Sequence, residues 1–113
     1  MAAVDCGLVV NPVGVEQQIE GGIIWGISSA LMGQITFKNG AAQQSSYRDF
    51  EVARMKDAPE IEVHIVASER SEPSGMGEPP VPPIVPAIVN AVFAATGKRI
   101  RRLPIRPEDL RAV

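Results

Sequence analysis

The chain has 113 residues, of which 45% are apolar and only 4% aromatic, so a core would consist mainly of Ile, Val, Ala and Leu. Its 11 basic and 13 acidic residues give a net charge of −2, which argues against a nucleic-acid-binding or membrane-surface protein. Cys6 is the single cysteine, which excludes an internal disulfide and a cysteine-ligated iron–sulfur cluster, and the length fits one domain, residues 1–113, or part of one.

The first predicted elements are a strand end at residues 2–5 and a long helix. Asn11-Pro12 is a turn signal that precedes the helix. Apolar residues then recur every three or four positions, the period of an amphipathic helix: Val15, Ile19, Ile23, Ile27, Ala30 and Leu31. Glycines at 21, 22 and 26 each cost this helix about 1 kcal/mol relative to alanine. We therefore expect another helix or a ligand to pack very close to its backbone.

Two further strand regions follow the helix. Asn39-Gly40 favours a two-residue hairpin turn between strands at 33–38 and 41–47, because both turn positions tolerate positive φ. Residues 60–67 alternate between apolar and polar side chains, which predicts a strand with one apolar face. His64 lies on the polar face of that strand, so we interpret it as an exposed histidine rather than a functional one.

The last third of the chain predicts a buried helix. Pro86 suits the first turn of a helix that extends to Thr96, and Gly97 is placed as its C-cap. This helix is apolar nearly all round, and 113 residues are too few to cover it, so we expect more chain or another subunit to do so. A short strand at 100–105 and a final helical turn at 107–110 complete an α+β fold.

A basic cluster near the end of the chain has two interpretations. Its members are Lys98, Arg99, Arg101 and Arg102. The first interpretation is a solvated strand edge, and the second is a contact with a phosphate group or a partner subunit.

Glu78 lies in a run of glycine and proline, Gly75-Met76-Gly77-Glu78-Pro79-Pro80, directly ahead of the last helix. Glycine allows another group to approach the backbone closely, and proline fixes φ and removes backbone donors. Such a segment can hold one carboxylate in a set position, as a general base requires. The alternative is a plain loop with a solvated glutamate, which composition alone favours.

Several stretches in one order resemble the C-terminal part of the large, molybdopterin-binding subunit of the xanthine dehydrogenase and aldehyde oxidase family. They are Asp5-Cys6-Gly7 with Val10-Asn11-Pro12, Gln18-Ile19-Glu20-Gly21-Gly22, Ala58-Pro59-Glu60-Ile61-Glu62-Val63, and Gly75-Met76-Gly77-Glu78-Pro79 with the helix that follows it. The third and fourth stretches are most similar to the isoquinoline 1-oxidoreductase beta subunits of that family. The resemblance implies a fragment or split subunit: a C-terminal piece of the cofactor-binding domain, with two main helices and a small mixed or antiparallel sheet.

The resemblance also implies a reaction and three site residues. Glu78 matches the family's catalytic base beside the molybdenum, Gln18 matches a glutamine that contacts the pterin, and Gly77 adjoins the cofactor. Glu78 would take a proton during hydroxylation of an N-heterocycle or an aldehyde with oxygen from water. Met76 departs from the small aliphatic residue common in the family. No metal ligand is assigned to this chain.

The resemblance implies partners as well. They are a molybdenum–molybdopterin cofactor in its cytosine dinucleotide form, the remainder of the large subunit, and a small subunit that carries iron–sulfur clusters. We expect the isolated chain to be inactive and to self-associate through apolar faces and strand edges left bare. The alternative is a stand-alone interaction or ligand-binding module that keeps the fold without the cofactor. The sequence leaves cytoplasm and periplasm open.

Overall fold

This computed structural model describes residues 1–111, which form two helices and two small sheets. In chain order the elements are strand β1 (Ala2–Val4), helix α1 (Pro12–Leu31), strands β2 (Phe37–Lys38), β3 (Ala41–Ala42) and β4 (Val63–Ile65), and helix α2 (Val81–Thr96). Single 3-10 turns lie at Met55–Asp57 and Pro107–Leu110. The predicted α+β class with two main helices is therefore confirmed.

The strands form two separate two-stranded sheets rather than one. β1 pairs with β4 in parallel, with Ala3 opposite His64, and β2 pairs with β3 in antiparallel. The hairpin turn is the predicted one, because Asn39 and Gly40 both have positive φ, 52° and 78°. Its strands are much shorter than expected, since the side chains of β2 and β3 are exposed and no apolar face holds a longer pairing together.

Helix α1 provides the core. The Asn11 side chain caps it by accepting a hydrogen bond from the Gly14 N–H at 3.1 Å, and Pro12 occupies the first helical position, where its missing N–H costs nothing. Three isoleucines on one face, Ile19, Ile23 and Ile27, are buried. They pack against the β1–β4 sheet and α2, so the predicted apolar period is the one that the fold buries.

Two glycines of α1, Gly22 and Gly26, lie where a side chain would have no room. A Cβ on Gly26 would lie 2.0 Å from Ile84 Cγ2 and 2.8 Å from the Val81 carbonyl oxygen. A Cβ on Gly22 would lie 2.8 Å from Pro80 Cγ. These two glycines let α2 pack directly on α1, as the prediction of a close neighbouring helix required.

The predicted start of the second helix at Pro86 is wrong, because α2 begins five residues earlier, at Val81. Pro82 and Pro83 lie in the first turn, where backbone N–H groups have no intrahelical acceptor, so the helix tolerates them. Pro86 lies inside the helix and leaves the Pro82 carbonyl without its usual donor. Gly97 is the C-cap as predicted, with φ at 71° and its N–H donating to the Phe93 carbonyl at 2.7 Å.

Helix α2 is not buried on most sides, contrary to expectation. None of its residues is buried, and one side packs on α1 while the other is open. The described part of the chain has nothing to place there, which agrees with the difficulty of covering an all-apolar helix with so few residues.

The strand predicted at 100–105 is also wrong. Ile100 and Ile105 are buried, but the segment between them is irregular. The Ile105 N–H donates to the Ala30 carbonyl at the end of α1 at 2.8 Å, so the segment closes the helix end instead of pairing with a strand. Arg101 and Arg102 of the basic cluster are exposed, and the Arg99 guanidinium lies over the Phe93 ring at 3.5 Å.

Candidate functional site

The three residues singled out from the sequence lie together. A surface cleft of about 350 Å³ separates the first half of α1 from the loop that leads into α2. Gln18, Gly77 and Glu78 all line it, although Gln18 and Glu78 are 60 residues apart in the chain. The remaining lining residues are Gln17, Gly21, Gly22 and Trp25.

Helix α1 supplies one wall of the cleft. Four of the lining residues share one face of the helix, because Gly21, Gly22 and Trp25 follow Gln18 by three, four and seven residues. The Gln18 side chain is exposed, and its Oε1 would lie 3.6 Å from a Cβ on Gly77. Gln18 and Gly77 are therefore direct neighbours across the cleft.

The loop that carries Glu78 rests on α1 at Gly22. Besides the contact with Pro80, a Cβ on Gly22 would lie 3.3 Å from the Gly77 carbonyl oxygen. Pro80 is buried there, and the Glu78 carbonyl accepts a hydrogen bond from the Val81 N–H at 2.9 Å at the start of α2. The backbone on both sides of Glu78 is thus held by packing and by the first turn of the helix.

The Glu78 side chain itself is exposed at the cleft. Among residues 1–111, no ion pair or side-chain hydrogen bond engages its carboxylate. Both carboxylate oxygens are consequently free to accept a proton or a hydrogen bond from a group that enters the cleft.

Gly21 differs from its neighbour Gly22. A Cβ on Gly21 would meet no atom within 4 Å, so nothing inside the described structure requires a glycine there. The missing side chain leaves the backbone of α1 open on the cleft side, one turn from Gln18. A glycine that weakens a helix without an internal packing reason indicates room for a group from outside.

Trp25 was not singled out from the sequence, yet it lines the cleft and is 54% exposed. The signal was available, because Trp25 is the only tryptophan and follows Gln18 by seven residues, two helical turns. An exposed indole beside open backbone offers a flat apolar surface and one N–H donor.

A second, apolar cleft of about 470 Å³ lies on the other side of the Glu78 loop. It is bordered by β1 and by Ile19, Ile23, Met76, Pro80 and Ile84. Met76 is half-buried in it, two residues before the exposed Glu78. Met76 and Glu78 therefore line different clefts.

Two aspartates have a lowered pKa, and neither lies in the cleft. The pKa of Asp49 falls to about 2 because the backbone N–H groups of Ser45 and Ser46 donate to its carboxylate. The pKa of Asp5 is lowered by the Gly7 N–H, then by Ser68 and by Arg70. His64 is exposed, as predicted, with Nε2 2.9 Å from Glu62 Oε1.

Residues 1–111 contain neither a cluster of metal-binding side chains nor a helix that could span a membrane. No three side chains from His, Cys, Asp and Glu come close enough together to hold a metal ion. Neither of the two helices has the length and apolar character that a membrane span would need.

Known proteins resemble this chain in sequence. It is 37% identical over 107 residues to the membrane-bound aldehyde dehydrogenase [pyrroloquinoline-quinone] of Gluconacetobacter polyoxogenes, covering 95% of this chain and 14% of that protein. It is 41% identical over 105 residues to isoquinoline 1-oxidoreductase subunit beta of Brevundimonas diminuta, covering 93% of this chain and 13% of that protein. The chain thus spans about one seventh of these relatives.

The fold is also found in a solved structure, that of quinoline 2-oxidoreductase from Pseudomonas putida 86. The two superpose with a TM-score of 0.83 at 29% identity, over 95% of this chain and 15% of the other. Residues 1–59 match the family model of the molybdopterin cofactor-binding domain. The chain therefore belongs to the molybdopterin cofactor-binding domain family, as a segment of the molybdenum-binding subunit of the xanthine dehydrogenase family.

Proposed function

We propose that this chain forms part of a molybdenum hydroxylase in which Glu78 is the general base and Gln18 and Gly77 contact the cofactor. The observation that carries the proposal is the shared cleft, which brings a free carboxylate, an exposed amide and a bare backbone together. Family membership supports the cofactor class, and the relatives' names support the reaction class.

The residues of the cleft fit a pterin cofactor in their chemistry. The Gln18 amide offers both donors and an acceptor, as the edge of a pterin ring or a phosphate group requires. Gly77 and Gly21 leave backbone accessible on the two walls, so a flat ring system can approach closely. This chain would hold the organic part of the cofactor by hydrogen bonds and would supply no ligand to the molybdenum.

The cofactor would be the molybdenum–molybdopterin cytosine dinucleotide, and when bound it would supply the activated oxygen and accept two electrons. Glu78 would take up the proton of the attacking oxygen at one of its free carboxylate oxygens. The balance is one substrate C–H and one water converted to C–OH, two protons and two electrons. The electrons would leave through iron–sulfur clusters on a partner subunit.

The substrate class we propose is an N-heterocycle, attacked at the electron-poor carbon beside the ring nitrogen, or an aldehyde. Relatives are named for isoquinoline, nicotinate and nicotine, and another is an aldehyde oxidoreductase molybdenum-binding subunit. The relative named for pyrroloquinoline quinone also acts on aldehydes by its name. The matched domain model favours molybdopterin over the quinone for this chain, and metal analysis of the loaded enzyme would distinguish them.

We propose that the chain alone is inactive, because its cleft is open to solvent and the rest of the subunit is needed to enclose the cofactor. The alternative function is a stand-alone interaction or ligand-binding module without a cofactor. Mixing the chain with the remainder of the large subunit separates the two, since restored molybdenum-dependent hydroxylation would support the enzyme and absence of association would support the module.

The decisive experiment uses the complete enzyme that contains this segment. Glu78→Gln should reduce hydroxylation to a small residual rate while the molybdenum content per subunit stays unchanged, because the carboxylate is lost and the shape is kept. Glu62→Gln is the matched control, since Glu62 is an exposed glutamate just before β4 and away from the cleft. Full activity of Glu78→Gln would refute the assignment of the base.

A further inference from the structure

Outside the cleft, the backbone of Asp5–Leu8 pairs with the backbone of Glu72–Ser74. The Ser74 N–H donates to the Cys6 carbonyl at 2.8 Å, and the Leu8 N–H donates to the Glu72 carbonyl at 3.4 Å. Gly7 and Pro73 form an isolated antiparallel bridge between these bonds. We refer to this pairing of residues 5–8 with residues 72–74 as the latch.

Gly7 is required in the latch for two independent reasons. Its φ is +69°, which is unfavourable for any residue with a side chain. A Cβ on Gly7 would also lie 2.1 Å from the Glu72 carbonyl oxygen, a backbone atom that cannot rotate away. Any larger residue would therefore separate the two segments.

Asp5 holds Gly7 in this conformation. Its Oδ1 accepts a hydrogen bond from the Gly7 N–H at 2.9 Å and lies 3.3 Å from Arg70 Nη2. Both side chains of the Asp5–Arg70 pair are about half exposed, so the ion pair alone adds little. The lowered pKa of Asp5, whose largest cause is the Gly7 N–H, agrees with a carboxylate that works mainly on the backbone.

The latch lies at one end of the loop that carries Glu78. Ser74 is the last residue of the latch. A Cβ on the next residue, Gly75, would have no atom within 4 Å, so Gly75 lies in open space. The other end of the loop is fixed where Pro80 packs on Gly22. Between these two anchors only five residues, 75–79, are left to determine where the carboxylate stands.

We infer that Asp5 and Gly7 are positioning residues for Glu78, acting through the latch. The inference rests on the proposed function of Glu78 as the base. A base must stand within hydrogen-bond reach of the proton it takes, and a displacement of about 1 Å can cost about a hundredfold in rate. Loss of the latch would release the loop at Gly75 and let the carboxylate move away from that position.

The test measures the reductive half-reaction of the complete enzyme in single turnover. Asp5→Ala removes the oxygen that accepts the Gly7 N–H, and Gly7→Ala disrupts the latch directly. We expect Asp5→Ala to lower the rate of the chemical step tenfold or more and Gly7→Ala to lower it further. The molybdenum content and the KM should stay within twofold of the parent enzyme.

Asp49→Ala is the matched control. Asp49 also caps a turn with its carboxylate, but it lies near the far end of α1, about 20 Å along the helix from Gln18. The enzyme with this substitution should keep a rate within twofold of the parent enzyme, because the turn that Asp49 caps is not connected to the Glu78 loop.

A double variant separates positioning from general damage to the fold. When Glu78→Gln is already present, Asp5→Ala should lower the residual single-turnover rate by no more than twofold, because the group that Asp5 positions is gone. A merely structural role for Asp5 would instead lower the molybdenum content and reduce the rate equally in both backgrounds. That result would overturn the inference.

The two proposals fail in different ways. If Glu78→Gln is impaired but Asp5→Ala retains the parent rate, the positioning role is overturned and the base assignment stands. If Glu78→Gln is fully active, the base assignment fails, and the positioning inference fails with it. Should Gly7→Ala not assemble, the comparison of Asp5→Ala with Asp49→Ala decides alone.

Discussion

The ring of Pro80 lies directly on the backbone of Gly22, with Pro80 Cγ only 2.8 Å from the position that a Cβ of Gly22 would take. This one contact joins α1 to the loop before α2, and with it Gln18 to Glu78. The close packing that brings these two walls of the cleft together therefore requires a glycine at position 22.

We predict that Gly22→Ala lowers the free energy of unfolding by about 1–3 kcal/mol, the usual effect of overpacking, because a proline ring cannot turn aside. Gly21→Ala is the matched control for stability. It meets nothing in the described structure, and alanine is a better helix former, so it should be neutral or stabilise by up to about 1 kcal/mol. Urea unfolding of both variants measures the difference, and equal stability would contradict the packing argument.

Gly21→Ala should nevertheless impair the complete enzyme. If the open backbone at Gly21 receives the cofactor, the added methyl group would reduce the molybdenum content of the purified enzyme although the fold is no less stable. Elemental analysis alongside the unfolding curve checks this. A variant with full molybdenum content and full activity would show that the space above Gly21 is not used.

Gln18→Ala should weaken retention of the cofactor. A neutral hydrogen bond contributes about 0.5–1.5 kcal/mol, which corresponds to roughly three- to tenfold faster loss of molybdenum on dilution. Gln43→Ala is the control, because the Gln43 amide is exposed and bonds only its own hairpin, at the Ala41 carbonyl. Identical retention in the two variants would remove Gln18 from the proposed binding residues.

The stability of the region after the hairpin should fall at acid pH through Asp49. Its pKa in the folded chain is about 2, below the ordinary aspartate value of 3.8, so the folded state binds fewer protons than the unfolded state between these values. The stabilisation is therefore complete above about pH 4, near the pKa of an unperturbed aspartate, and is lost as the pH falls toward 2. Carbon-13 NMR of the Asp49 carboxyl group measures the midpoint, and a value at or above 3.8 would contradict the two serine N–H bonds.

The isolated chain should self-associate through α2, because this helix is apolar and none of its residues is buried. Light scattering should give a mass above that of the monomer. Glutamate at the exposed positions of Ala91 and Ala94 should reduce the mass, whereas Ser71→Glu, in an exposed loop, should not. A monomer mass for the unsubstituted chain would mean that the open side of α2 does not mediate self-association.

The sequence predicted those parts of the fold that local chemistry determines. The period of α1, the Asn39-Gly40 turn and the Gly97 cap follow from neighbouring residues alone. The sequence did not predict the start of α2, because consecutive prolines such as Pro82 and Pro83 are typical of loops, although the first turn of a helix also tolerates them. The segment at 100–105 has strand-forming residues, but a strand also needs a partner, and a local pattern does not show one.

The site residues were predicted from short sequence motifs, whereas the helices and strands were predicted from the spacing of apolar residues. Nothing local in Gln18 or Glu78 indicates that they line one cleft, since that depends on two glycines and a proline ring between separate elements. Trp25 belongs to no motif, so the motifs alone did not indicate its place in the cleft. The latch was missed because its components, Gly7 and Glu72, are linked through backbone atoms that side-chain patterns do not reveal.

The parallel pairing of β1 with β4 has a consequence for the order of folding. Ala2 pairs with Val63, so a sheet of only three residues a strand joins positions about sixty residues apart. Closing so large a loop costs entropy before the few hydrogen bonds can form, and contacts this distant slow the folding of a domain. Helix α1 and the hairpin can form from neighbouring residues, whereas β1 must wait until β4 has been synthesised. The cleft beside Gln18 also needs the loop at 77–80, which follows β4 in the chain, so under the proposed function a cofactor could bind there only after that loop has docked on α1.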